Sequence, residues 1–265
     1  MNDRDRLKAR IDGLSPIAVR FVARLVDSLA DAPKPNTVTP TWLNRHPEWI
    51  EYFGLAISAH HGTTTEPLGL TSFEIVFRNA CEALKWSMDS PGSATRRFVD
   101  LTLTTKDATT RRLSLKSTAA RNLSEQTAHI SKLTEAAWIQ DVRSARARRS
   151  RTLELFREYR AAVDAILLLR AFREPGEIPN RYQLIEIPSD LFRSLEDVPD
   201  SAFAADGPVI DCPYRGLASA AQVSLDRSDA KITIRRIQLA ASTIHAEWSL
   251  LEPAATASQA AAVRD

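Results

Sequence analysis

Apolar and polar positions alternate most sharply between Phe98 and Arg121, FVDLTLTTKDATTRRLSLKSTAAR. Val99, Leu101 and Leu103 interleave with Phe98, Asp100 and Thr102; farther on, Leu113 and Leu115 interleave with Arg112, Ser114 and Lys116. A period of two marks a strand with one buried face, so the stretch predicts a β-hairpin. If Val99, Leu101, Leu103, Leu113 and Leu115 share the buried face, Asp100, Ser114 and Lys116 share the other. A slip of one residue would break that agreement.

Longer periods surround the hairpin. Ser15–Leu29 reads as an amphipathic helix with Ser15 as N-cap and Pro16 in the first turn. Ala32–Pro40 is a Pro-rich linker, and Thr41–Phe53 predicts a short packing helix carrying Trp42, Trp49, Tyr52 and Phe53. From Thr71 to about Met88, Phe73, Val76, Phe77, Ala80 and Leu84 form a stripe at helical spacing. After the hairpin, Leu123–Trp138 reads as mostly helical, and Val142–Tyr159 as a basic helix with Arg143, Arg146, Arg148, Arg149 and Arg151. Ala165–Phe172 (AILLLRAF) predicts a central strand and Tyr182–Ile187 another, stopped by Pro188. A helix capped by Ser189 or Asp190 runs to Leu195, and Val223–Leu225, Ile232–Leu239 and Ile244–Leu250 close the chain as strands.

That order predicts a mixed α/β (α+β) fold, a central mixed sheet flanked by helices. The 265 residues suit one domain: a helical portion over 1–65, a core over 66–200, a β-rich portion over 201–252 and a flexible tail over 253–265.

Composition changes this picture little. At 44% hydrophobic and 26% charged, the chain has the make-up of an ordinary globular protein. No apolar run approaches the ~18 residues of a membrane span, and the charged N-terminus MNDRDRLKAR lacks a secretion signal's apolar core. With Cys81 and Cys212 in no metal-ligand spacing, a reduced, cytoplasmic setting is expected. A net charge of +2 argues against simple coating of nucleic acid. Arg heavily outnumbers Lys, which suits phosphates and guanine edges and equally suits a GC-rich genome. Nothing resembles a Gly-rich phosphate loop, and eight glycines are too few to suggest a nucleotide-binding fold.

The candidate chemistry sits on the hairpin. A carboxylate beside a lysine on a polar sheet face is the minimal kit for metal-assisted attack on a phosphodiester. Asp100 is the candidate Mg²⁺ ligand, the backbone carbonyl of Leu115 a further oxygen ligand, and Lys116 the group that orients water or meets the transition-state charge. Glu74, off the apolar stripe of its helix, is the candidate second carboxylate, with Glu125 behind it. Read alone, Asp100 and Lys116 also suit a surface salt bridge, and Glu74 a solvated helix face.

Asp on one strand and x-Leu-Lys on the next resembles the core of the PD-(D/E)xK nuclease superfamily. More closely, LSLKSTAARNLSEQTAHISK (113–132) resembles a segment of type II restriction endonucleases. So, in the same order, do FGLAISAHHGTTTEPLGLTSFEIVFRNA (53–80), RYQLIEIPSDLF (181–192) and IHAEW (244–248). The resemblance implies a restriction-endonuclease-like core with Asp100, Glu74 and Lys116 as catalytic residues. It also implies Mg²⁺-dependent, sequence-specific hydrolysis of double-stranded DNA at a short palindrome, CCCGGG, leaving 5′-phosphate ends. A homodimer and a companion DNA methyltransferase follow from the same likeness. The departure is Ser114, where the superfamily motif has an acid. Two alternatives are a DNA-binding protein of this fold with impaired catalysis, and a repair or mobile-element nuclease of low specificity.

The segment after Lys116 carries side chains suited to base edges: Arg121, Asn122, Ser124, Gln126, His129 and Lys132. Asn122 and Ser124 equally suit helix caps. His60 and His61 are candidates for phosphate or base contact, and the Arg143–Arg151 run for phosphate contact or a solvated helix face. The apolar Thr41–Phe53 element is the candidate dimer surface.

Overall fold

In the computed structural model, which describes residues 2–37, 39–89, 97–173 and 177–250, strand and helix follow the apolar periods over most of the chain. Helices α1 (Asp3–Asp12) and α2 (Pro16–Ala30) come first, the second capped by Ser15 Oγ accepting the Ala18 N–H at 3.3 Å. Short β1 (Pro35–Asn36) leads to α3 (Pro47–His61), then α4 (Leu70–Ala83) and β2 (Ser87–Asp89). The α4 stripe ends sooner than its apolar pattern, because Lys85 turns left-handed at φ 58° and starts an extended run. Then come β3 (Leu101–Thr104), β4 (Thr110–Thr118), β5 (Thr127–Glu135), α5 (Ala145–Ala162), β6 (Ala165–Phe172) and β7 (Arg181–Pro188). A 3₁₀ segment over Ser189–Asp197 precedes β8 (Val209–Tyr214), β9 (Leu217–Asp226), β10 (Lys231–Gln238) and β11 (Thr243–Ser249).

The described strands form two sheets. The first is mixed, in the order β1-β11-β7-β6-β4-β3-β2, with β4 and β6 its parallel pair. The second is antiparallel, β5-β10-β9-β8. On one face of the first sheet, Leu101, Leu103, Leu113, Leu115, Leu167 and Leu184 pack against Trp49, Phe53, Phe73 and Phe77 of α3 and α4. On the other, Ile166, Leu168, Ile185 and Ile187 pack with Phe156 and Tyr159 of α5 and with Val223, Ile232 and Ile234 of the second sheet. Strand β6 is buried along its whole length, as a strand covered on both faces requires. Among the described residues no helix is long and apolar enough to cross a membrane.

Four expectations are corrected. Leu123–Trp138 is not helical: its centre is β5, where Ala128 and Ile130 point inward while Thr127 and His129 point out. Pairing with β10 offers that alternation a sheet, and tertiary burial decides over helical propensity. Val99 leaves the buried face of the hairpin, because Phe98 takes φ 76° and both residues pack with the opposite core. The Thr41–Phe53 element is interior, with Leu43, Trp49, Ile50 and Phe53 at most 2% exposed, so it offers no dimer surface; its helix starts only at Pro47. The apolar side of α2 instead faces outward through Ile17, Phe21 and Val26. Finally, two arginines of the basic run are structural. Arg148 donates to the carbonyls of Phe203 and Ala204 at 3.2 and 3.1 Å, and Arg149 to those of Val198 and Glu196 at 2.6 and 2.7 Å. The tail over 253–265 lies outside the described residues.

Candidate active site

The hairpin register places Leu101 opposite Leu113, and the Asp100 N–H extends the ladder by donating to the Leu113 carbonyl at 2.9 Å. With Leu113 and Leu115 committed to the α3/α4 core, Asp100, Ser114 and Lys116 turn to the opposite face. There one carboxylate oxygen, Asp100 Oδ2, accepts three hydrogen bonds: from Leu115 N–H at 2.7 Å, Ser114 Oγ at 3.1 Å and Lys116 Nζ at 3.2 Å. Lys116 Nζ also donates to the Leu115 carbonyl at 3.0 Å. Among the described residues Asp100 Oδ1 takes no hydrogen bond. The lysine and aspartate side chains are 16% and 31% exposed, which makes this a lined recess rather than a surface ion pair.

Helix α4 brings a second carboxylate. Arg78, one turn beyond Glu74, clamps the helix by donating to the Asp100 carbonyl at 2.7 Å. The Glu74 carboxyl is held above the ordinary glutamate range, first by partial burial and then by the negative charge of Asp100, against the pull of Lys116 and Arg78. Two carboxylates that repel each other across a recess favour a cation between them. Among the described residues no three His, Cys, Asp or Glu side chains form a ready metal cage. Mg²⁺ does not need one, because it keeps several waters and takes one or two carboxylates. An all-oxygen donor set of Asp100, Glu74 and the Leu115 carbonyl fits that ion and not zinc.

Behind Ser114 the recess is closed. Ser114 is 1% exposed, and the fully buried Tyr159 of α5 sets its hydroxyl near Ser114 without a hydrogen bond of normal geometry. Burial pushes that phenol well above its ordinary pKa.

The other predicted residues are dispersed. Arg121, Asn122 and Ser124 sit on the loop after β4 and line a cleft of about 540 Å³ together with His129. Asn122 has φ 56°, and Ser124 Oγ accepts the N–H groups of Gln126 and Thr127, so the pair shapes a turn rather than a helix start. Gln126 is exposed, and Lys132 pairs with Glu135 at 2.7 Å on the outer face of β5. Glu125 pairs with Arg181, away from Asp100. His60 and His61 lie on the α3/α4 side of the sheet: His60 bonds the Glu66 carbonyl at 2.8 Å and His61 the Tyr182 hydroxyl at 2.9 Å. Burial, then the Thr64 carbonyl opposing it, leaves the His61 pKa lowered.

Sequence reasoning missed Arg170. It is fully buried on β6 and donates to the carbonyls of Ser124 and Thr127 and to Gln183, thereby tying the 119–127 loop to the sheet. The signal was present: one charge inside AILLLRAF is a buried polar anomaly. Arg235 and Arg236, on the far wall of the same cleft, were also missed.

A mixed sheet that sets a carboxylate beside a lysine, on β4 where it runs parallel to β6, is an arrangement that suits metal-assisted hydrolysis of phosphodiesters. The sequence is similar to the type II restriction enzyme SmaI of Serratia marcescens, 29% identical over 147 residues, 54% of this chain and 53% of that protein. The chain thus aligns with about half the length of that relative. No family model matches the sequence, and no solved structure matches the fold.

Proposed function

We propose that this protein is a type II restriction endonuclease of the PD-(D/E)xK kind, a Mg²⁺-dependent hydrolase of double-stranded DNA. The observation that carries the reading is the Asp100–Lys116 pair at 3.2 Å with Glu74 in electrostatic reach; the likeness to SmaI supports it. The finer proposals are a palindromic site, CCCGGG, cut on both strands by a homodimer to leave 5′-phosphate ends. A partner methyltransferase and a cytoplasmic setting go with them.

Asp100, Glu74 and the Leu115 carbonyl would hold the ion, which when bound supplies Lewis-acid polarisation of the phosphoryl group and activation of water. The Leu115 N–H fixes the Asp100 carboxylate through Oδ2, which leaves Oδ1 without a hydrogen bond among the described residues. Lys116 donates its Nζ to that carboxylate at 3.2 Å. It can turn from the Leu115 carbonyl to a non-bridging phosphate oxygen, where negative charge grows as the nucleophile adds. Ser114 holds the second donor on Oδ2 and contributes no charge.

Plasmid DNA with Mg²⁺ is expected to give discrete fragments, and none with EDTA. Lys116→Ala should lower cleavage by at least ~10²-fold while duplex binding persists. Discrete cleavage by Lys116→Ala at the wild-type rate would remove the assignment. Ser114 in the acid position favours a second reading, a duplex-binding protein without cleavage; binding with no cutting under Mg²⁺ or Mn²⁺ selects it. Smeared digestion selects a nuclease of low specificity.

A further inference from the structure

The cleft beyond the active-site recess has a wall that the hairpin does not supply. It belongs to the second sheet, and a backbone irregularity builds it. Between Ile234, opposite Ile130, and Ile237, opposite Ala128, strand β10 carries two residues where β5 carries one. Arg235 and Arg236 therefore both face His129 across a β-bulge. Arg236 sits at φ 47°, a left-handed conformation that a non-glycine residue adopts only against strain. Regular alternation would send one of the two side chains inward. The bulge leaves both exposed, side by side, while Ile234 and Ile237 stay buried.

The same level continues across the sheet. Arg235 pairs in register with Gln222 on β9, and Gln222 with Asp211 on β8. The outward face thus carries a polar rung: Asp211, Gln222, the two arginines and His129. Asp211 accepts from Ser219 at 2.6 Å and from Gln222 at 3.0 Å. By contrast, Arg112, Arg148, Arg149, Arg170 and Arg181 all spend their guanidinium groups on internal partners. Among the described residues the guanidiniums of Arg235 and Arg236 make neither a hydrogen bond nor a salt bridge. The opposing wall of the cleft is the loop with Arg121, Asn122 and Ser124. Arg121 follows Lys116 by five residues, at most ~17 Å of extended chain, about five base-pair steps along a duplex.

Two neighbouring exposed arginines offer planar forks that match the O6/N7 edges of guanines, and the Gln222 carboxamide beside them, whose Nε2 donates to Asp211, keeps its oxygen for a base-edge donor. The β5–β10 pair is an edge ribbon of its sheet, a shape the major groove admits. We propose that Arg235 and Arg236, with Gln222, form the base-reading surface of this protein, directed at consecutive guanines in the major groove of duplex DNA. This rests on the reading of the protein as a DNA-binding nuclease.

The test uses duplexes with a random ten-base-pair core, incubated with the full-length protein without Mg²⁺, the bound fraction sequenced; plasmid cleavage with Mg²⁺ runs in parallel. Wild type should enrich runs of guanine. Arg235→Lys and Arg236→Lys keep the charge and lose the fork, so each should weaken that enrichment by about 10-fold or more while affinity for the unselected pool stays within about threefold. Thermal unfolding of each variant confirms that it folds. If the variants select the same motif as wild type, or lose affinity equally for every sequence, the base-reading assignment is overturned and the nuclease reading stands. If wild type cuts plasmid without selecting any sequence, base reading is again overturned alone. If wild type neither binds duplex nor cuts plasmid, the nuclease reading falls first and takes this one with it.

Discussion

Replacing Arg170 by Met tests whether the loop after β4 is held from inside the sheet. The guanidinium is fully buried; its donors serve the Ser124 and Thr127 carbonyls and Gln183, and its plane lies 4.8 Å from the Phe172 ring. Methionine fills most of the volume and returns no donor, leaving three acceptors without their partner. Each buried acceptor left bare costs about 1–3 kcal/mol. Ser124 is exposed, so water can reach part of the loop and the three losses do not sum in full. The desolvation of a buried cation, which lowers the Arg170 pKa against the pull of Glu125, is also relieved. The expected net loss is about 3 kcal/mol, at the lower end of what removing one partner of a buried charged network costs. For a chain of this size that is a fall in Tm of about 6–12 °C. Urea unfolding gives the free energy, and amide hydrogen exchange locates it: protection should fall over 119–127 and hold along β6 and β7. A loss below about 1 kcal/mol with unchanged exchange over 119–127 would refute the reasoning. It would mean that the Ser124 turn and the Leu239 N–H bond to the Gln126 carbonyl hold the loop unaided.

Two further outcomes follow from the charges. Ser114→Asp puts a carboxylate about 4 Å from that of Asp100, at the position where the PD-(D/E)xK motif has an acid; at an effective permittivity near 20 the repulsion is about 4 kcal/mol, part of it offset by Lys116. The variant should lose about 2 kcal/mol in EDTA and regain it with millimolar Mg²⁺, and equal Tm values in EDTA for variant and wild type would sink the idea. Glu186 is mostly buried: burial alone would raise its carboxyl, but bonds from His245 and the Trp42 indole at 3.2 and 2.6 Å, with the charge of Arg111, lower it. A carboxylate depressed in the folded state contributes stability above its unfolded pKa of about 4.3 and loses it as pH falls through the folded value. Glu186→Gln should therefore lower Tm by roughly 5 °C at neutral pH, a gap that closes below about pH 4; a gap independent of pH counts against it.

The hairpin, β6, β7 and the helices α4 and α5 were legible because each buries a face whose period is local; α2 was legible from the same kind of period, although none of its residues is buried. The pairing of Asp100 with Lys116 was legible for the same reason: parity along two strands fixes which residues share a face. What was not legible depends on partners distant in sequence. Strand β5 owes its state to β10, about a hundred residues away, and β8 was unmarked because its two inward residues, Ile210 and Cys212, are too few to set a period. The fate of the arginines was equally hidden. Arg148 and Arg235 look alike in sequence; one is 7% exposed and bonded to carbonyls, the other is exposed with a free fork. Partners more than fifty residues away decide the first, and a bulge in β10 that no local pattern announces shapes the surroundings of the second.

That distinction bears on Ser114. Tyr159 and Phe156 of α5 pack against the back of β4 and β6, and Ser114 is sealed beneath them. A charge there would have to be desolvated before any ion arrived, at a cost that a small hydroxyl avoids. Helix α4 is tied to the start of the hairpin by Arg78, which donates to the Asp100 carbonyl at 2.7 Å, and Glu74 lies one turn back on that helix. Glu74 is only partly buried there; that burial and then the charge of Asp100 raise its pKa, and a cation between the two carboxylates would favour its charged form. On the proposed function the hairpin then needs to supply only one acid, and a serine at 114 lets the Leu115 N–H and Lys116 fix the orientation of Asp100 without a competing negative charge.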